Sequence, residues 1–161
     1  MNEKFSEHTS SLGDLPANTV VLMVWLGAIV LNIIFPRMSY LGLLVPLAFL
    51  LLEKKSPLVR AHAGQALALY IVVNILAVIM GIVFGIVFAT SVAATTVIGS
   101  GAGTIFSFAG TGVVGIISLV LFICQVVFVI IACVKGHKWE AYNIPLISNL
   151  GQWLTAHIKI S

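Results

Sequence analysis

Charge is scarce in this sequence. Of 161 residues only 8% are Asp, Glu, Lys or Arg, where a soluble domain carries roughly 25%. None of the four occurs from Ala61 to Val134, a run of 74 residues, and two further uncharged runs cover Leu15–Pro36 and Met38–Leu52. So little polarity cannot clothe a water-soluble fold, which excludes a soluble enzyme and a disordered linker. All five acids lie outside these runs, so no carboxylate is expected at membrane depth to relay protons or cations. Eight basic residues against five acids give a net charge of +3, too small and scattered for a nucleic-acid footprint. Cysteine is equally sparse. Cys124 and Cys133, nine positions apart on one predicted helix, fall on opposite faces and cannot pair within the chain. Nucleophile–base pairs, HExxH, CxxC, phosphate loops and metal-ligand spacings are all missing. No enzyme, cofactor or metal site is expected.

What is there is apolar length. A helix needs about 20 apolar residues to cross a core of about 30 Å. The pattern predicts an all-α integral membrane protein with four transmembrane helices and a C-terminal amphipathic interfacial helix. The first helix covers Thr19–Phe35. The second, Ser39–Leu52, is short, with Pro46 in its middle to kink it. The third starts at Pro57, a first-turn proline, and can run to Ala94. The fourth covers Gly112–Val134. Between them Thr95–Thr111, rich in Gly, Ser and Thr, reads as an exposed or re-entrant loop. In domain terms, residues 1–18 form a polar, mobile cytoplasmic tail, 19–134 the membrane domain, and 135–161 a cytoplasmic link and amphipathic helix.

The N-terminus does not open as a cleavable signal peptide. Four crossings put Lys4, Lys54, Lys55, Arg60, Lys135, Lys138 and Lys159 on one side and Arg37 alone on the other. By the positive-inside rule both termini are cytoplasmic, most simply in a bacterial inner membrane. From Pro145, Leu146, Ile147, Leu150, Trp153, Leu154 and Ile158 recur with helical spacing. This predicts a helix over 145–159 on the cytoplasmic leaflet, anchored by Trp139, Tyr142 and Trp153; packing on the protein's own cytoplasmic links is the alternative.

Polar and small residues within the apolar runs are the candidate interaction sites. His62 and Gln65 share a face in the first turns of helix three, suited to a partner or headgroup, or to satisfying neighbouring links. Asn74 and Gln125 lie deeper and suit interhelical hydrogen bonding. Ala77, Gly81, Gly85, Ala89 and Ala93 make a small ridge that lets another helix, or a second copy, approach. A seam of Thr111, Ser118, Gln125 and Ala132 on helix four is expected to face that ridge, with Asn74 and Gln125 hydrogen-bonded or bridged by one polar neighbour.

The segment Leu51-Leu52-Glu53-Lys54-Lys55-Ser56-Pro57-Leu58-Val59-Arg60-Ala61-His62-Ala63-Gly64-Gln65-Ala66-Leu67, with Pro46-Leu47 before it and Tyr142-Asn143-Ile144-Pro145-Leu146 after it, resembles a family of small four-helix bacterial membrane proteins. That family is related to the twenty-kilodalton Tic subunit of chloroplast import and to magnetosome membrane proteins. Ala68 stands where relatives often carry Asn. Magnetosome members are associated with acidic loop residues; this chain's non-cytoplasmic loops have none, which counts against a mineral role. The resemblance implies a non-enzymatic accessory or scaffold subunit of a larger membrane assembly, with protein translocation one such setting. The expected partners are the lipid bilayer and a membrane protein or a second copy, with no nucleic acid. The alternative is a small homo-oligomeric channel or carrier, with Asn74 and Gln125 along its path.

Overall fold

Apolar runs interrupted by Pro, Gly and clustered charge become helices broken at those interruptions. The computed structural model describes residues 4–35 and 38–158. Helix α1 is Ala17–Ile34; a 3-10 turn, Ser39–Leu43, leads into α2, Leu44–Leu52. Helix α3 is Pro57–Val97, α4 Ser100–His137 and α5 Ser148–His157. The described residues include no strand, only isolated bridges between Lys4 and Glu140 and between Thr9 and Pro16. Three helical stretches are long and apolar enough to cross a membrane, Ala17–Ile34, Pro57–Val97 and Gly103–His137. The second expected span is shorter, an apolar Tyr40–Leu52. Pro46 falls in the first turn of α2 rather than in mid-helix. In that turn the N–H that proline lacks would have little intrahelical bonding to lose.

Two compact units divide the chain: residues up to Asn74 with those from Val127 onward, and Ile75–Val126. Helices α3 and α4 contribute to both. In the first unit the core is Val20, Val21, Val24 and Trp25 of α1, Leu50 of α2, Leu58 to Leu69 of α3, Val129 and Ala132 of α4, and Ile144 and Leu154 of the tail. Gly136 lets α1 close on α4, since a Cβ there would meet the Val21 side chain and lie 3.6 Å from His62 Cε1.

Helix α4 ends with the Glu140 amide donating to the Lys135 carbonyl (3.0 Å) and the Trp139 amide to that of Gly136 (3.1 Å). This is the paired closure that normally requires glycine in the left-handed position. Here that residue is Trp139, at φ 61°. Its carbonyl receives the Phe5 amide (2.8 Å), and its ring packs against the core and lies 5.4 Å from that of His8. The N-terminal segment is therefore docked, with Phe5 and Leu12 on the core and Ser10 buried. This departs from the mobile tail expected from its polarity.

The second unit departs furthest from expectation. The Gly, Ser and Thr-rich stretch is helical apart from Ile98–Gly99, where Gly99 turns at φ +118°. Hydroxyls there bond back to their own helix: Ser91 Oγ to the Val87 carbonyl (2.7 Å), Thr95 Oγ1 to Ser91 (2.9 Å) and Thr96 Oγ1 to Ala93 (2.9 Å). Self-satisfied hydroxyls cost little in an apolar medium, so composition did not end the helix.

Close approach within this unit comes from α4. A Cβ on Gly103 would meet the Thr95 side chain and lie 2.8 Å from the Ser91 carbonyl oxygen, and one on Gly110 would meet Val87. By contrast, Gly81 and Gly85 face open space, and Ala77, Ala89 and Ala93 are exposed with them. The turned-in residues are Leu76, Met80, Val87, Ser91 and Ala94 on α3 and Gly103, Ser107, Gly110, Val114 and Gln125 on α4. Thr111 and Ser118 of the expected seam are exposed. The ridge on α3 was a permissive surface; the glycines of α4 decided which face was used.

These contacts predict opposite outcomes for like substitutions. Gly103→Val should destabilise the hairpin by about 1–3 kcal/mol, the usual range for overpacking, because a backbone carbonyl cannot yield as a side chain can. Gly81→Val should leave it unchanged. Thermal unfolding in detergent compares the two; equal effects would contradict the assigned face.

Candidate functional site

The Glu53–Gln65 motif begins as a helix start. Ser56 precedes Pro57, and its Oγ receives the Val59 amide (3.2 Å), the standard N-cap bond. The same hydroxyl lies 2.7 Å from His8 Nε2. Glu53, at the end of α2, turns its carboxylate back over this junction. It accepts the amides of Lys55 (2.9 Å) and Ser56 (2.8 Å), the Ser11 amide (3.0 Å) and hydroxyl (2.8 Å), and the Ser10 hydroxyl. Burial alone would raise its pKa, but the bonds from Ser10, Ser56 and Ser11 outweigh that and hold it at about 2.

One turn on, Arg60 joins two helix ends. Nη1 donates to the carbonyls of Leu50 (3.1 Å) and Glu53 (3.2 Å), at the C-terminus of α2. Nη2 donates to those of Thr155 (3.1 Å) and Ile158 (2.9 Å), at the C-terminus of α5. Terminal carbonyls lack intrahelical partners and carry the negative end of the helix dipole. A planar fork can serve both ends at once, which a single ammonium cannot.

His62 is wholly buried. Trp25 Nε1 lies 3.2 Å from its Nδ1 and the Glu140 carbonyl 2.9 Å from its Nε2. An indole only donates, so Nδ1 accepts and Nε2–H donates. Gln65, also buried, straps the tail: Oε1 accepts the Ile144 amide (3.3 Å) and Nε2 donates to the Ser148 carbonyl (3.1 Å). Helix α5 crosses here because Gly64 and Gly151 leave room. A Cβ on Gly64 would lie 2.7 Å from the Gly151 carbonyl oxygen, and one on Gly151 2.6 Å from Gln65 Nε2.

The structure thus brings together His62 and Gln65, with internal rather than external partners. Asn74 donates to the Tyr70 carbonyl one turn back (2.8 Å), and Gln125 is half-buried. Trp153 stays half-exposed, stacked on His157 at 4.6 Å. Tyr142 is buried and Trp139 half-buried, so neither anchors the surface as expected. Helix α5 turns Gly151 and Leu154 inward and packs on the protein, the alternative reading of its amphipathic pattern. Sequence reasoning missed Glu53, Arg60, Trp25 and Ser10. The Ser-Pro helix start signalled the first two; nothing local signalled the others, whose partners lie 37 and 43 positions away. With its polar groups bonded to one another and to backbone groups, the arrangement locks these segments together.

Two measurements test the lock. Glu53 is depressed from 4.5 to about 2, so the folded state favours the ionised form. Its stabilisation is complete above about pH 4.5 and is lost as pH falls toward 2. Protease cleavage near Ser11 should accelerate over that window, and Glu53→Gln should cleave fast at neutral pH with a flattened profile. Arg60→Lys should release α5, costing about 1.5–3 kcal/mol in hydrogen bonds to a charge, seen as faster amide exchange at Leu154 and Ile158.

No curated protein and no solved structure matches the chain. A family model does, over residues 16–151, described as the magnetosome magnetite crystal formation protein family. The match runs from the cap of α1 into α5 and takes in Glu53, Arg60, His62 and Gln65, with Ser10, Ser11, Thr155 and Ile158 beyond its ends. It bears on the magnetosome side of the sequence resemblance and does not carry the relation to the Tic subunit. With most of its length covered, the chain belongs to the magnetosome magnetite crystal formation protein family.

Proposed function

We propose that this protein is a non-enzymatic accessory subunit of a membrane assembly, serving magnetite crystal formation through contacts with protein and lipid rather than with mineral. The observation that carries this reading is the uncharged run Ala61–Val134, which includes the whole Ile75–Val126 unit. Iron ions and their oxide surfaces are met by oxygen anions, chiefly carboxylates. The long helices offer none, the Glu53 carboxylate is occupied by Ser10, Ser11, Lys55 and Ser56 and that of Glu140 by Lys135, and the exposed acids Glu7 and Asp14 lie apart on the N-terminal segment. The exposed apolar surface suits lipid and other membrane helices.

The proposed setting is a bacterial inner membrane or one derived from it, with both termini on the basic, cytoplasmic side. Of the residues behind that orientation, Arg37 and Lys159 lie outside the described residues. Protein translocation draws no support from the family match.

Cross-linking in native membranes followed by purification in mild detergent should recover the protein with a membrane-protein partner or a second copy. A strictly solitary protein would overturn the accessory reading. The purified protein should not sediment with magnetite particles; sedimentation at physiological salt would move the reading to direct mineral contact.

A further inference from the structure

Leu146 occupies an unusual combination of backbone and environment. Its φ is +72°, a region that leucine rarely adopts and that glycine or asparagine occupies more cheaply. Its side chain is fully exposed. A strained backbone that presents a large apolar side chain to the outside is not explained by packing, because the side chain packs on nothing in this chain. Trp153, seven positions on, is the other large apolar residue of the tail left outward, at 54% exposure. Ile147, Leu150, Leu154 and Ile158 are turned onto the core.

The first unit also shows which way these two residues lie. Its charged end holds Glu53, Lys54 and Lys55. Arg60 bonds Leu50, and Trp25 bonds His62. The Gly27 position abuts Val45, and that of Gly42 abuts Asn32. Helix α1 therefore runs alongside α3 in the same direction, away from the charged end. Its far half exposes Leu26, Val30, Ile33 and Ile34, the surface that hydrocarbon must cover. The end of α5 is tied to Arg60, but its beginning is tied further along, at Gln65, through Ser148 and Ile144. The turn carrying Leu146 is thus the part of the tail that reaches furthest toward the lipid-covered side, with Trp153 just behind it.

We propose that Leu146 and Trp153 form a bilayer anchor: the 145–147 turn inserts Leu146 into the interfacial layer of the leaflet on the charged side, and the Trp153 indole sits at headgroup level. Lipid is the occupant because the site is level with the lipid-covered part of α1, and because an aliphatic side chain paired with a tryptophan suits the interface between acyl chains and headgroups. Within the tail, only the anchor contacts the bilayer. The rest of the apolar face of α5 is held by Arg60, Gly64 and Gln65, so the tail couples the membrane surface to the motif lock.

The test uses full-length protein in phosphatidylcholine–phosphatidylglycerol liposomes, with Cys124→Ala and Cys133→Ala. A polarity-sensitive fluorophore is attached at Leu146→Cys and, for reference, at Gln152→Cys. At 146 the emission should be blue-shifted, quenched several-fold more by lipids spin-labelled near the headgroup than by aqueous iodide. At 152 the order should reverse. Iodide quenching at 146 equal to that at 152 would overturn the proposal by placing the turn in water. Protection from both quenchers would overturn it in favour of a protein partner or a second copy. As a second reading, Leu146→Gly should leave the Tm in detergent unchanged or higher, because it relieves strain and removes no internal contact. A Tm lowered by several degrees would show that Leu146 packs within the protein, and would also overturn the anchor.

Discussion

Two helices that end in the same place need something to receive their last carbonyls, and Arg60 meets that need for both α2 and α5. Its guanidinium reaches Leu50 and Glu53 on one side and Thr155 and Ile158 on the other. Residues nearly a hundred positions apart are thereby fixed to the first turn of α3. Around this fork the other motif residues divide the work. Glu53 gathers the N-terminal segment, His62 ties α1 to the link after α4, and Gln65 holds the segment entering α5. The first three turns of α3 are the stem onto which every other part of this unit is fastened.

The polar residues of this motif satisfy one another inside the first unit. Buried polar groups are costly unless satisfied, and once satisfied they fix one geometry. A histidine that accepts from an indole and donates to a carbonyl is not free to exchange protons with a substrate. The polar residues of the motif act together as a specification of tertiary structure. The exposed apolar side chains lie elsewhere: on the uncharged faces of α1, α3 and α4, and at Leu146 and Trp153 of the tail.

Glycine acts in two ways along the same chain. Gly64, Gly103, Gly110, Gly136 and Gly151 stand where a Cβ would collide with a neighbouring side chain or backbone, so they set which faces meet. Gly81 and Gly85 collide with nothing. The two kinds look identical in sequence, since a GxxxG step marks where helices can approach and not where they do.

The sequence by itself determined the class of the molecule. Eighty or more uncharged residues in long runs dictate helices in a membrane, because only there is such a surface stable and only helices satisfy their own backbone; the family match agrees with this. Helix starts were legible too, at Pro57 above all, since capping is local chemistry. What only tertiary structure decided is everything that depends on a distant partner. Helices α3 and α4 extend through the Gly, Ser and Thr-rich stretch because its hydroxyls bond their own backbone. The polar N-terminal segment docks because Glu53 awaits it. Helix α5 turns its apolar face onto α3 rather than onto lipid, because two glycines and Arg60 make protein the better-fitting surface. Amphipathic spacing states that a face will be covered; it carries no information on whether lipid or protein covers it, since both remove the same apolar area from water.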